Sequence, residues 1–128
     1  MALFNPALAL AKINGELPLK ADTMPTLPGR VGVDPKELSP YHQVKSGAPP
    51  TIIFHGQGDE TVLYMSAEHF TKAMKKAGNQ CELVGYAEQP HGFFNYRRSE
   101  NKYFKATLKE LDRFLVSLKY LEGKAAIE

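Results

Sequence analysis

The chain has 128 residues, of which 43% are hydrophobic and 23% charged, and 16 basic against 14 acidic side chains leave a formal net charge of +2. This length limits the chain to one globular domain, and a near-neutral charge without a long run of one sign argues against a nucleic-acid or anionic-membrane ligand. The single cysteine, Cys81, excludes an internal disulfide, and because we identify neither a signal-peptide pattern nor a transmembrane stretch, the compartment stays unknown.

The first 49 residues combine a short apolar run with a long stretch that has no regular period. Residues 1–6 predict a strand, because the apolar run is ended by an asparagine-proline pair. Residues 7–49 predict an irregular excursion, since prolines and glycines interrupt any regular pattern. Within this excursion one short helix is expected to begin after Asp34, a capping residue followed by proline, and to end before Pro40.

Residues 50–122 predict the order strand, helix, strand, helix. A continuous strand-favouring run from Thr51 indicates a strand buried on both faces. Residues 64–77 predict an amphipathic helix capped by Ser66, and residues 81–86 predict the next strand. The last helix is expected to begin near Ser99, with an apolar stripe made of Phe104, Leu108, Leu111, Leu115 and Leu118. Strands that alternate with helices predict a parallel sheet.

Two chemically active side chains follow the two later strands. Asp59 lies just beyond the first of them, and His91 comes 32 positions later, just beyond the second. Because the carboxyl ends of parallel strands meet at one edge of a sheet, the two loops should lie side by side. A carboxylate beside a histidine orients it as a general base. The structural alternatives are a turn aspartate and a loop histidine bonded to the backbone, but order, spacing and placement together favour catalysis.

The residues around this pair resemble a known family. The stretch Pro-Thr-Ile-Ile-Phe-His-Gly-Gln-Gly-Asp, which ends at Asp59, and the later Pro-His-Gly-Phe around His91 are similar to the C-terminal part of the α/β-hydrolase fold. Within that fold the stretch is similar to the acetyl-esterase, lipase-like and prolyl-oligopeptidase-like branches. The resemblance implies that Asp59 and His91 are the second and third members of a Ser-Asp-His triad, in that chain order.

The resemblance also implies the fold. We expect residues 1–128 to be a single C-terminal portion of an α/β-hydrolase domain. Its fold class would be α/β, a partial α/β-hydrolase sheet of three mostly parallel strands at one edge, with flanking helices and the N-terminal part of the fold missing. The strand within residues 1–6 would then expose a hydrogen-bonding edge, and open edges recruit partners. We therefore expect self-association or pairing with an N-terminal half.

The family's nucleophile does not occur in this sequence. No Gly-x-Ser-x-Gly pentapeptide is present, and the oxyanion-hole loop, which belongs earlier in the family's order, is also missing. Cys81 is disfavoured as a replacement because it begins a predicted strand instead of following one. An oriented histidine without a nucleophile and an oxyanion hole does little acyl transfer. We therefore expect the chain to be inactive by itself, and whether it is an enzyme stays open.

The resemblance suggests a carboxylic-ester hydrolase for acetyl or short acyl esters, including acetylated sugars. The alternatives are a prolyl-oligopeptidase-like serine peptidase and a non-catalytic remnant that acts as an interaction module. Phe93 and Phe94 are predicted to line the substrate pocket, and packing beneath the last helix is an equally weighted alternative. No cofactor is expected, and no metal site either, because the histidines lack clustered spacing.

Overall fold

A three-stranded parallel sheet forms the centre of the computed structural model, which describes residues 1–123. Its strands are β1 (Ala2–Phe4), β2 (Thr51–Gly56) and β3 (Cys81–Tyr86). They pair in the order β1-β2-β3, so that β1 lies at one edge and β2 in the middle. All six residues of β2 are buried, as expected of a strand covered on both faces. The predicted α/β class with parallel strands is confirmed.

Two long helices cover opposite faces of this sheet. The helices are α1 (Leu27–Val31), α2 (Pro35–Leu38), α3 (Tyr64–Lys76) and α4 (Lys102–Ser117), and short 3₁₀ turns occupy Met24–Thr26, Pro40–Gln43 and Ser99–Asn101. Helix α3 packs on the face that presents Ile53, whereas α4 packs on the face that presents Ile52 and Phe54. None of these helices is long and apolar enough to cross a lipid bilayer.

Helix α3 agrees with its predicted bounds, but the predicted cap is wrong. The N-cap residue is Leu63, and no side chain caps this end. Ser66 lies inside the first turn, where its hydroxyl donates a hydrogen bond of 2.9 Å to the Leu63 carbonyl and so satisfies no free N–H group. The buried face of the helix contains Phe70 and Met74, four positions apart, as an amphipathic helix requires. Gly78 follows the helix with φ of 81°, a left-handed conformation that suits glycine.

Helix α4 is rotated relative to the predicted stripe. Its buried residues are Thr107 and Phe114, and neither belongs to the predicted set. Leu111 and Leu118 pack beside Phe114 against the sheet, so this side of the stripe is correct. Leu108 is only half-buried and lines an open groove. Phe114 lies three positions after Leu111 and four before Leu118, so it fits helical spacing as well as the leucines do. The predicted stripe follows the leucines and therefore omits the residue that is most buried.

The excursion at residues 7–49 is packed against the rest of the chain. Leu19 and Leu27 form a small buried cluster with Val62, which lies in the loop after β2. The predicted short helix is present as α2, and the Asp34 carboxylate caps it by accepting a 2.9 Å hydrogen bond from the Lys36 N–H. The excursion therefore contributes a second, smaller core beneath the loop that carries Asp59.

Candidate active site

The Asp59 carboxylate is held inside the turn that follows β2. Its side chain is 0% exposed, and its Oδ1 accepts hydrogen bonds from the N–H groups of Thr61 and Val62, at 2.9 and 3.0 Å. This is the local geometry that an aspartate stabilises in a turn. The excursion holds the same segment from outside, because the Lys20 N–H donates to the Thr61 carbonyl at 3.1 Å.

The imidazole of His91 contacts the other oxygen of this carboxylate. Nδ1 of His91 lies 2.7 Å from Oδ2 of Asp59, while the histidine side chain stays 45% exposed. An ionised carboxylate can only accept, so Nδ1 carries the hydrogen and Nε2 of the neutral ring has a free lone pair. The two predicted site residues therefore meet in the arrangement that a general base requires.

Two glycines allow the loops of Asp59 and His91 to approach each other. The N–H of Gln57 donates to the Tyr86 carbonyl at 2.9 Å, and that of Gly58 donates to the Gln89 carbonyl at 3.1 Å. A Cβ atom on Gly56 would lie 2.1 Å from the Gln89 carbonyl oxygen, and one on Gly58 would lie 2.9 Å from a neighbouring carbonyl oxygen. The glycines of this turn therefore allow the two loops to pack closely, in addition to reversing the chain.

Asn5 is a site residue that the sequence prediction missed. It lies just past β1, where its backbone N–H donates to the Phe54 carbonyl at 2.8 Å, and its side-chain Nδ2 donates a hydrogen bond to Oδ2 of Asp59. In the sequence, the asparagine-proline pair predicts only the end of a strand. The available signal was its position, since β1 ends at the same edge of the parallel sheet as β2 and β3.

The hydrogen bonds on Asp59 decide its charge. Burial by itself raises the pKa of the carboxyl, but the hydrogen bonds from Val62, His91, Asn5 and Thr61 favour the ionised form. Their sum holds the pKa of Asp59 below its ordinary value. The carboxylate is therefore charged at neutral pH, as is needed to stabilise an imidazolium beside it.

His55, near the carboxyl end of β2, has the contacts of a packing residue. It is fully buried, Nδ1 contacts the Gly56 carbonyl at 3.0 Å, and its ring meets that of Tyr64 edge-on at 5.6 Å. Burial lowers the pKa of His55, and it outweighs the opposing effects of the Gly56 carbonyl and the Asp59 charge. The ring is thus held neutral inside the sheet.

The structure separates the two phenylalanines predicted to bind substrate. Phe93 is 2% exposed and packs between Tyr86 and Tyr103, with ring centroids 4.7 and 5.6 Å away. This is the packing alternative, because Tyr103 belongs to α4. Phe94 is half-buried against Phe4, at 5.0 Å between centroids, and lines an open groove. A role in substrate binding stays a prediction for both.

No nucleophile accompanies the pair in the described part of the chain. Within residues 1–123 no serine hydroxyl forms a hydrogen bond with His91, and Ser39 and Ser66 are fully buried elsewhere. Cys81 is buried at the start of β3, and burial raises the pKa of its thiol. The same residues contain no cluster of three or more metal-binding side chains. The site described within residues 1–123 therefore consists of a carboxylate hydrogen-bonded to an imidazole.

Comparison with known proteins gives a family match and several similar structures. Residues 21–117 match the model of the prolyl oligopeptidase family. Thermogutta terrifontis esterase 2 phosphonylated by sarin is 44% identical, with a TM-score of 0.89 over 96% of this chain and 45% of that chain. A propionate-bound structure of the thermophilic esterase Est2 from the same planctomycete is also 44% identical, with a TM-score of 0.83 over 96% and 44%.

The apo form of Thermogutta terrifontis esterase 2 is similar to the same degree, at 44% identity and a TM-score of 0.83 over 96% of this chain and 43% of that chain. This chain thus spans less than half the length of these solved esterases. No curated protein matches it.

Proposed function

This chain belongs to the prolyl oligopeptidase family, and on that premise we propose that it is the C-terminal part of a serine esterase, carrying the acid and the base of its catalytic triad. The observation that carries the proposal is the 2.7 Å contact between His91 Nδ1 and the buried carboxylate of Asp59. The identity with solved esterases supports the reaction class.

In the proposed mechanism His91 is the proton carrier. Its Nε2 takes the proton of a serine hydroxyl, supplied by a part of the protein outside these 128 residues, as the serine oxygen attacks the acyl carbon of the ester. Asp59 stabilises the imidazolium that forms. His91 then returns the proton to the leaving alcohol, and the acyl-enzyme is hydrolysed when the same nitrogen takes a proton from water and gives it back to the serine.

The proposed substrates are esters of short acyl groups, from acetyl to butyryl. Structures of the similar esterase have been solved with propionate and with butyrate bound, which supports this range. Acetylated sugars fall within the same class, and their recognition would depend on residues outside this chain.

A serine peptidase is the second candidate, because the family model that matches residues 21–117 is that of the prolyl oligopeptidases. The two reactions share the acid-base pair and differ in the leaving group, an alcohol or an amine. A non-catalytic interaction module is the third candidate, since the sequence contains no Gly-x-Ser-x-Gly nucleophile motif.

A chimera tests the proposal. The N-terminal part of Thermogutta terrifontis esterase 2 is fused to this chain, and hydrolysis of p-nitrophenyl acetate and butyrate is compared with cleavage of a prolyl-peptide p-nitroanilide. We expect ester hydrolysis, and we expect Asp59→Asn and His91→Ala each to lower kcat/KM by about 10³- to 10⁴-fold, because the base loses its orientation or is removed.

Asp22→Asn is the matched control, since Asp22 is an exposed aspartate paired only with neighbours in sequence. It should leave kcat/KM unchanged. Full ester hydrolysis by the chimera carrying Asp59→Asn would refute the triad assignment, and preference for the anilide would favour the peptidase. Asp59-dependent turnover by the 128-residue chain alone would show that the nucleophile is not missing.

A further inference from the structure

Asn5 completes the set of hydrogen bonds around the Asp59 carboxylate. A carboxylate offers about four lone-pair directions. Those of Oδ1 are used by the N–H groups of Thr61 and Val62, and those of Oδ2 by His91 and by the side chain of Asn5. With every direction occupied, the plane of the carboxylate is fixed, and so is the line along which His91 is held.

Asn5 itself is placed by the main chain. It is 5% exposed, its N–H is bonded to Phe54, and its φ is 42°, in the left-handed region. That region is uncommon outside glycine and is tolerated best by asparagine and aspartate. The residue is followed by Pro6, which further restricts its backbone. An unfavourable backbone conformation kept beside a candidate catalytic group suggests a role for the side chain.

The chemistry of the amide also fits this role. If the amide were turned around, its oxygen would face the carboxylate oxygen and repel it, so Asp59 selects the orientation with Nδ2 donating. The other amide atom, Oδ1 of Asn5, is buried without a partner among residues 1–123, so no competing contact within them sets the orientation. A neutral donor stabilises the charged carboxylate without adding a cation that would compete with an imidazolium.

We propose that Asn5 is a positioning residue that fixes the Asp59 carboxylate and, through it, the tautomer and direction of the His91 ring. The inference rests on the proposed function, because it assigns a purpose to the acid-base pair. It is tested on the 128-residue chain itself by a readout other than activity. That readout is the NMR signal of the His91 Nδ1 proton, which lies far downfield when the proton is bonded to a carboxylate.

Asn5→Gly removes the amide and keeps a residue that tolerates the left-handed backbone. We expect the Nδ1 proton signal to move upfield and its exchange with water to become about tenfold faster, the effect of losing one hydrogen bond to a charged group. Asn14→Gly is the matched control, because Asn14 is another left-handed asparagine, with φ of 51°, but is exposed. An unchanged signal in Asn5→Gly would overturn the inference.

Asn5→Asp provides a second test, which also serves if the glycine variant does not fold. Two carboxyls this close share a proton, so at acidic pH the new side chain can still donate to Asp59, and at higher pH it cannot. We expect a signal near that of the unmodified chain at acidic pH and its loss as the pH rises. The titratable or charged groups that the structure describes around the pair include His55, Glu60 and Arg98, whose Nη1 donates to the His91 carbonyl at 3.2 Å.

A signal whose pH dependence equals that of the unmodified chain would overturn the role of Asn5 even if the fold is kept. Asp59→Asn separates this failure from a failure of the acid-base pair, because it should abolish the downfield signal whatever Asn5 does. If Asn5→Gly leaves the Nδ1 proton signal unchanged and Asp59→Asn abolishes it, the contact between Asp59 and His91 is supported and only the inference about Asn5 fails.

Discussion

At the scale of single residues, the site combines one buried charge with one buried neutral ring. The Asp59 carboxylate stays ionised because hydrogen bonds replace the water that burial removes. His55 lies in β2, four positions before Asp59, and stays neutral, because burial lowers its pKa more than nearby groups raise it. Both groups bind fewer protons in the folded chain than in the unfolded one, so both make folding sensitive to acid.

This sensitivity predicts two separate pH windows for unfolding. The folded-state pKa of His55 lies below its ordinary value of 6.5, so its contribution to stability is complete above that pH and is lost as the pH falls below it. Asp59, whose pKa is lowered from 3.8, contributes in the same sense at lower pH. We expect His55→Gln to remove the first fall in the free energy of unfolding, measured by urea denaturation at a series of pH values.

Asp59→Asn is the comparison variant, because it should remove the more acidic window and keep the fall that begins at the ordinary pKa of His55. Because the Asp59 charge raises the pKa of His55, its loss should let that first fall continue to lower pH. A fall between pH 6.5 and the acidic range that is equally steep with and without His55→Gln would show that another group causes it.

At the scale of elements, two loops and the end of β1 together make the site. The loop after β2 carries Asp59, the loop after β3 carries His91, and their main chains are hydrogen-bonded to each other. This contact depends on Gly56, where any side chain would meet the carbonyl of Gln89. The two loops can approach this closely because Gly56 has no Cβ atom. Their separation in turn sets the distance between Asp59 and His91.

We expect Gly56→Ala to push the His91 loop away from β2 and to destabilise the chain by about 1–3 kcal/mol, the usual effect of overpacking. Gly29→Ala is the matched control, because a Cβ atom on Gly29 would have nothing within 4 Å. The measurements are the free energy of unfolding and the downfield Nδ1 proton signal of His91. Equal stability and equal signals in the two variants would contradict the close approach.

At the scale of the whole molecule, the sheet is open beside β1. This strand pairs with β2 on one side, and the structure describes no strand on its other side within residues 1–123. Two apolar grooves flank this edge, one on each face. The apolar lining of the Phe70 groove includes Met1, Pro40, Val44, Ala48, Phe70 and Met74, beside the polar Gln43, Lys45 and Ser46. That of the Phe104 groove includes Phe4, Phe94, Tyr96, Phe104 and Leu108, beside Asn95 and Thr107. We propose that an N-terminal half of the protein covers this edge, and that the isolated chain associates with itself there.

Sedimentation velocity across the micromolar range tests this surface. We expect the isolated chain to associate, and we expect Leu108→Lys to weaken association by about tenfold or more, because a charge would be buried in the Phe104 groove. Leu121→Lys is the matched control, since Leu121 is an exposed leucine that lines neither groove. Strictly monomeric behaviour of the unmodified chain would contradict the proposal.

The sequence by itself determined the order of strands and helices, the parallel sheet and the candidate pair. Each depends on local patterns: a continuous apolar run for β2, helical spacing for α3, and the position of Asp59 and His91 just beyond their strands. These patterns can be recognised in the sequence because each lies within a short stretch. A strand buried on both faces is a continuous apolar run, and functional side chains of a parallel sheet follow directly after such runs.

Only the tertiary structure decided which residues surround that pair. Asn5 is 54 positions from Asp59, and although its place at the end of β1 puts it at the same sheet edge, only the order of the strands shows which side chain it contacts. Likewise, Phe114 and not a leucine is the buried apolar residue of α4, and Leu63 and not Ser66 is the N-cap residue of α3. Contacts between distant segments depend on how strands are ordered and helices rotated, and these are set by packing of the whole core and not by local sequence.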